Sequence, residues 1–465
     1  MPAEINIIFI VKVLECSIIG AVCGFLLLVI HSFIKERQIK AMLGVTVLLF
    51  IAISGFGFIV YSTVSVHFIT VFGFMVFLFV AIAITLPFAP GAHNYVVGEQ
   101  SRVDERDALF HRFYRLQPDT PEFLQYYHDH PEIRDIDAAI RKLPALTEPG
   151  SRSYNPVDSP MMASIMDVVN SITRDIDWPP STSNIKPFNL SPKDASQRIK
   201  AFARYLGADL VGTTKLNPAY IYSHIGRAPG EWGAAIHLPH THAIAIAVEM
   251  RSDMLAYAPA IPATIETSDT YFTTAKIAMV LAKYISMLGY EARAHVDGNY
   301  RVMCVPIAVD AGLGEPGRLG LLITPQFGPR VRLSIVTTNL ELTQDRPISF
   351  GVQHFCSICK KCADNCPGNA IARHEPTVVR GVRKWVSQQE ACYRFWRKQG
   401  TDCGVCIRVC PYAHSSLPMH RIMRWLVNRN SFARRFALLG ENVVYGRRHR
   451  ANTANSDWLT TWKRS

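Results

Sequence analysis

Residues 356–371 read CSICKKCADNCPGNAI. Cys356, Cys359, Cys362 and Cys366 fall at intervals of three, three and four, and Pro367 follows the last. This is the CxxCxxCxxxCP spacing by which thiolates hold iron–sulfur clusters. A second, looser set follows: Cys392, Cys403, Cys406 and Cys410, again with a proline behind its last member. Two such sets predict a ferredoxin-like module with two four-iron clusters, the fourth cysteine of each run crossing to the other cluster. Cys356, Cys359, Cys362 and Cys410 are then assigned to one cluster, and Cys366, Cys392, Cys403 and Cys406 to the other. Two closed zinc sites would also use eight cysteines, but the compact run is the iron–sulfur signature. Clustered CxxC spacings speak for metal ligands rather than a disulfide framework. The remaining Cys16, Cys23 and Cys304 read as small buried hydrophobes.

Working outward, the 465-residue chain is 49% hydrophobic and 18% charged, with a net charge of +12. The charge is unevenly spread, because residues 1–90 are nearly uncharged. Three apolar stretches lie there, at 13–34, 42–64 and 68–88, each long enough to span a bilayer as a helix. The loop after the first carries Lys35, Arg37 and Lys40, while the loop between the second and third carries no Lys or Arg. The positive-inside rule then predicts a multi-pass protein of the cytoplasmic (inner) membrane, with everything after residue 90 facing the cytoplasm. No twin-arginine pair precedes the first stretch, so no Tat export signal is expected.

Residues 91–195 are polar and rich in proline and read as a cap or linker. From 196 to 349 strands and helices alternate. THAIAIAVEM (241–250) reads as a strand. SDTYFTTAKIAMVLAKYISMLG (268–289) reads as a helix, with Ser268 or Asp269 as N-cap and Gly289 as the stop. Three further apolar runs follow, broken by Gly and Pro, completing an α/β unit. No GxGxxG follows a strand and there is no GxxxxGK[ST], so neither a nicotinamide site nor a P-loop is supported. Residues 350–418 form the two-cluster module, and 419–465 a basic tail. In that tail RIMRWLVNRNSFARRFALLG interleaves arginines and apolar residues at helical spacing. Contact with anionic lipid headgroups and a solvated helix wrapping the module are equal readings of it.

Several stretches in order carry a family resemblance: YSHIGRAPGEWG (222–233), SDTYFTTAKIAMVLAKYISMLGYEA (268–292), VPIAVDAGLGEPGRLGLLITPQFGPRVRLS (305–334), both cysteine runs and ENVVYG (441–446). Over roughly 195–460 the chain resembles the corrinoid-dependent reductive dehalogenases. The resemblance implies an α/β cobalamin-binding (nitroreductase-like) domain joined to the two-cluster ferredoxin-like module, here preceded by three transmembrane helices. It implies two [4Fe-4S] clusters and a cobalamin (corrinoid) as cofactors. It also implies an activity that replaces a carbon–halogen bond of a small organohalide by carbon–hydrogen. The electron donor would be a ferredoxin, a flavin reductase or a membrane quinol. The lipid bilayer would be a partner, and nucleic acid would not.

On the matching stretches the resemblance makes Tyr271 the proton donor, with a cationic side chain beside it. A tyrosine in the first turn of a capped helix would have its pKa lowered by the dipole. Arg330 and Arg332 share a strand face, so spacing does not choose between them. The position after Pro329 matches the family, which selects Arg330. Asp297 or Asn299 would supply a polar pocket residue, and Trp396 an apolar wall. Gly312, Gly314, Gly317 and Gly320 would let backbone approach the flat corrinoid, or serve as ordinary tight turns. The DxHxxG cobalamin motif is absent, compatible with a base-off corrinoid lacking a histidine ligand. Two rivals remain: a relative of the epoxyqueuosine reductases, which act on transfer RNA, and a membrane-tethered two-cluster electron carrier without a corrinoid.

Overall fold

The computed structural model describes residues 95–174, 176, 187–227, 229–415, 417–448 and 451–452, together with 27, 46 and 50. One compact unit contains Ala92–His414, so the cap, the α/β segment and the cysteine-rich module pack as one body. The helices Pro418–Val427 and Ser431–Tyr445 belong to a second unit. There Asn430 caps the latter helix by accepting from the Ala433 N–H, and the Arg429 guanidinium lies 4.1 Å from the Trp425 ring centre.

The large unit is organised by the THAIAIAVEM strand. Strands β1 (Leu210–Lys215), β2 (His242–Glu249), β3 (Ala292–His295), β4 (Glu315–Pro316), β5 (Leu322–Ile323) and β6 (Val331–Thr338) follow in sequence. Four of them form a sheet in the order β1-β2-β6-β3, every pair antiparallel. Side chains alternate across a strand, and β2 divides its own between two cores. Ile244, Ile246 and Val248 meet Ala275, Ile277, Ala278 and Leu281 of the helix Ile261–Met287, and Ile199 of the helix Pro192–Tyr205. Ala243, Ala245 and Ala247 face Ile307, Ala308, Leu322 and Ile335. Alanines on that face let the helix Cys304–Asp310 approach closely.

Of the three later apolar runs, only the last becomes a full strand of the sheet, β6. The run around VPIAVD turns into that short helix, and the next closes the two-residue hairpin β4–β5. The long helix also differs from expectation. It begins at Ile261, with Pro262 in its first turn, so Ser268 lies inside it. Thr267, Ser268 and Thr270 each donate a hydroxyl proton to the carbonyl four residues back, on Ala263, Thr264 and Glu266. Hydroxyls satisfied within a helix look like caps from sequence alone.

Among the described residues no helix is long and apolar enough to cross a membrane. The long helix carries Glu266, Asp269, Lys276 and Lys283 and is packed on the sheet. The expected three transmembrane helices, and with them the multi-pass inner-membrane location, are corrected accordingly. The stretches behind that expectation, 13–34, 42–64 and 68–88, lie outside the described residues apart from Leu27, Thr46 and Phe50.

The cap is bonded to the cysteine-rich module. Arg112 is buried and bridges Asp137 at 2.8 Å and Glu390 at 2.7 Å. Arg397 donates to the carbonyls of Pro144 and Leu143. Phe110 and Phe113 pack on Tyr393 at 5.5 and 4.9 Å between ring centres.

Candidate active site

The thiols of 356–410 gather as neighbours, Cys362 facing Cys406 as well as Cys356 and Cys359. Cys410 is electrostatically coupled to Cys356, Cys359 and Cys362. Cys406 is coupled to Cys392 and Cys366, and Cys403 to Cys406 and Cys392. Cys356, Cys359, Cys362 and Cys366 come from the helices Val352–Cys359 and Lys361–Asp364 and the turn after them. Lys360 between these helices is left-handed, with φ of 56°, as are Cys403 and Gly404 at 65° and 68°. These turns fold the short helices around the sulfurs.

The donor set fits iron–sulfur clusters. Backbone N–H groups face the sulfurs: Ala370 donates to Cys366 at 3.3 Å, and Arg318, Val405, Ile407 and Tyr412 point at Cys356, Cys403, Cys406 and Cys410. Donors aimed at sulfur suit an anionic cage. With protein alone, burial pushes Cys356 and Cys406 up to about 12 and Cys392 to about 11. None of the nine described cysteines is in a disulfide. Among the described residues no three His, Cys, Asp or Glu side chains converge as a single ion would need.

Beside these thiols lies a polar and aromatic space. Tyr271 sits in the middle of the long helix, half-buried, with the Arg332 guanidinium 5.0 Å from its ring centre. Mid-helix placement removes the dipole effect expected of a first turn. Burial instead raises the phenol pKa, and Arg332 pulls it back. Arg332 is held by Asp402 at 3.3 Å and by the Thr267 hydroxyl at 3.0 Å, and it also faces Cys406. Asp297 faces Tyr271 and pairs with Arg227 at 3.4 Å. Tyr300 and Cys304 complete this side, and Arg227 lies 6.0 Å from the Tyr300 ring centre. Tyr114 of the cap faces Arg227 and Asp297, and burial pushes it up to about 12. It nevertheless keeps 59% of its surface accessible. Tyr271, Asp297, Tyr300, Cys304 and Arg332 are likewise only half-buried, so this polar and aromatic group keeps surface with which to meet a ligand.

Arg330 is not the cation beside Tyr271. It is 1% exposed and engaged elsewhere, pairing with Glu249 at 2.6 Å and donating to the carbonyls of Met250 and Ala413. It ties β2 and β6 to the end of the second cysteine run. Arg330→Met leaves Glu249 and these carbonyls unpaired and is expected to cost roughly 3 kcal/mol of stability, read by thermal or denaturant unfolding. Asn299 is likewise occupied: it accepts from Arg293 at 2.6 Å and donates to the Thr173 carbonyl at 2.9 Å. Of the two polar candidates, only Asp297 faces the space. Trp396 packs on Phe110 at 5.4 Å, and its indole N–H meets the Cys392 sulfur.

The glycine run opens onto protein. A Cβ on Gly314 would lie 2.1 Å from the Ile323 carbonyl oxygen, and one on Gly312 would lie 2.6 Å from that of Arg346. One on Gly317 would meet the Ile323 side chain at 2.7 Å, while Gly320 takes φ of 80° in the hairpin turn. Their small size serves the packing of β4–β5. Sequence reasoning named Arg332 only as the alternative to Arg330, and it did not single out Arg227, Asp402, Tyr300 and Tyr114. Arg227 lay within the quoted YSHIGRAPGEWG and Asp402 next to Cys403, but only the fold brings them to one space.

Residues 355–414 match the 4Fe-4S dicluster domain family. A tetrachloroethene reductive dehalogenase of Sulfurospirillum multivorans is 32% identical over 280 residues, covering 53% of this chain and 56% of that protein. Another from Desulfitobacterium hafniense is 31% identical over 281 residues, covering 50% and 51%. The chain thus spans about half the length of the curated relatives it matches. A solved catabolic reductive dehalogenase superposes with a TM-score of 0.58 at 27% identity, covering 63% of this chain and 43% of that one. The same enzyme has been solved in complex with 3-bromo-4-hydroxybenzoic acid. An epoxyqueuosine reductase of Lactococcus garvieae is 30% identical over 128 residues, covering only 25% of this chain and 35% of that protein. Sequence relatives, solved structures and the dicluster match therefore meet in one likeness, to the reductive dehalogenases.

Proposed function

We propose that this chain is a reductive dehalogenase: an organohalide, two electrons and one proton give the hydrocarbon and a halide ion. The observation that carries this reading is the Tyr271–Arg332 pair, whose guanidinium also faces Cys406 among the clustered thiols. Two [4Fe-4S] clusters, on Cys356, Cys359, Cys362 and Cys410 and on Cys366, Cys392, Cys403 and Cys406, would supply one-electron relay. A corrinoid bordered by Tyr114, Arg227, Tyr271, Tyr300 and Cys304 would supply the low-valent cobalt chemistry that cleaves a carbon–halogen bond.

The chain's own residues supply the proton. Burial keeps the Tyr271 phenol protonated, so it stands loaded at neutral pH. Proton transfer from its Oη to the substrate carbon leaves a phenolate. The guanidinium over the ring stabilises that charge and stays protonated throughout. Asp402 and Thr267 fix the guanidinium in place. The rings of Tyr114, Tyr271 and Tyr300 offer aromatic faces that suit a small halogenated organic molecule. A separate ferredoxin, flavin reductase or membrane quinol would deliver the electrons.

Arg332→Met is expected to lower turnover by about a hundredfold, the scale of one lost electrostatic contact to a developing anion. Its iron content is expected to match wild type. An unchanged rate would remove Arg332 from the mechanism. The activity itself is tested by turnover of halogenated phenols and alkenes with a low-potential donor in D2O. Halide release with deuterium at the former halogen carbon is expected. Absence of halide release from every organohalide offered would overturn the reading.

A further inference from the structure

The hairpin GEPGRLG (314–320) plays no part in the chemistry described so far, yet it grips the first cysteine run at both of its residues able to carry charge. The Glu315 carboxylate is 2% exposed and accepts the N–H groups of Phe350, Gly351 and Val352, at the start of the helix that carries Cys356 and Cys359. Arg318 grips the other end. Its side chain is fully buried, with Nε donating to the Cys356 carbonyl at 3.0 Å and Nη1 to those of Ala372 at 2.7 Å and His374 at 3.0 Å. The guanidinium lies 4.6 Å from the Trp385 ring centre.

Two features of Arg318 have no structural explanation. Among the described residues no carboxylate pairs with it, and its buried Nη2 has no acceptor. A buried guanidinium without a counter-charge is costly. The fold sets it beside the sulfurs of Cys356 and Cys362, on the first of which the Glu315 carboxylate also acts. The Arg318 backbone N–H already points at the Cys356 sulfur, and its charge acts on both Cys356 and Cys362.

We infer that Arg318 is a positioning residue for the iron–sulfur cluster held by Cys356 and Cys362, its charge and N–H groups favouring the reduced cluster and so raising its potential. This rests on the two-cluster reading. Reduction adds one electron, taken from the external donor, and thereby adds one negative charge beside Arg318. Hydrogen bonds to sulfur and local charge are established controls of such potentials. No proton or bond changes hands.

The test is a redox titration of the purified holoprotein followed by electron paramagnetic resonance, in wild type, Arg318→Gln and Arg318→Lys. In Arg318→Gln one cluster is expected to become about tenfold harder to reduce, a shift of about 59 mV for one electron. The other cluster is expected to stay in place, and Arg318→Lys to recover part of the shift. Unchanged potentials in Arg318→Gln with full iron content would overturn the proposal. Should the glutamine variant fail to assemble, wild type labelled with 15N in its arginine guanidinium groups decides. A 15N coupling on one reduced cluster, lost in Arg318→Lys, supports the role, and no coupling in wild type overturns it. About eight irons per chain in wild type verify the underlying reading separately; fewer would fault that reading rather than Arg318.

Discussion

Tyr271→Phe is expected to reduce dehalogenation by roughly a hundredfold to ten-thousandfold, the range of a lost general acid. Iron content and stability are expected to stay at wild-type values. The substitution removes one oxygen and keeps the ring on which Arg332 rests. The phenol makes no hydrogen bond to a described residue, so its loss leaves nothing in the protein unpaired. The pH dependence follows from the direction of the pKa shift. A raised phenol pKa keeps the acid form present below it, so Tyr271 contributes no loss of rate from neutral pH up to the ordinary tyrosine range near 10. Rate would fall only above that. A descending limb between pH 6 and 8 that disappears in Tyr271→Phe would contradict this assignment.

The second large effect concerns the crossing of the thiols. Cys410→Ala is expected to abolish turnover and to remove about four of eight irons. The signal lost is expected to be the same one lost in Cys362→Ala, because Cys410 faces Cys356, Cys359 and Cys362. Cys366→Ala is expected to resemble Cys403→Ala instead, since Cys366 and Cys403 both stand with Cys392 and Cys406. Variants that sort by sequence run, with Cys410 alongside Cys403 and Cys406, would show that the thiols do not cross. Iron quantification and low-temperature magnetic resonance of the reduced variants distinguish the outcomes.

What sequence could reveal here depended on how local the determining contacts are. Four cysteines within eleven residues declare a ligand set by spacing alone, and the β2 strand declares itself by its alternation. The start of the long helix was hidden, because the hydroxyls of Thr267, Ser268 and Thr270 bond backwards inside it. The choice between Arg330 and Arg332 was hidden by the strand itself. Spacing puts both on one strand face, but β6 begins only at Val331, and Arg330 turns to Glu249 and the Ala413 carbonyl, away from Tyr271. The glycines of AGLGEPGRLG suggested an approach to cofactor, but their space is filled by Ile323 and the Arg346 carbonyl. That hairpin's contribution is instead carried by Glu315 and Arg318. Asn299 looked available until Arg293 and the Thr173 carbonyl, contributed by other segments, occupied it.

The central claim is that the group of Tyr114, Arg227, Tyr271 and Tyr300 beside two iron–sulfur clusters holds a corrinoid. Anaerobic purification followed by quantification of iron, sulfide and corrinoid, with a visible spectrum, tests it most directly. The account predicts about eight irons and one corrinoid per chain. Eight irons with no corrinoid, even after reconstitution with cobalamin, would contradict it and leave a two-cluster electron carrier.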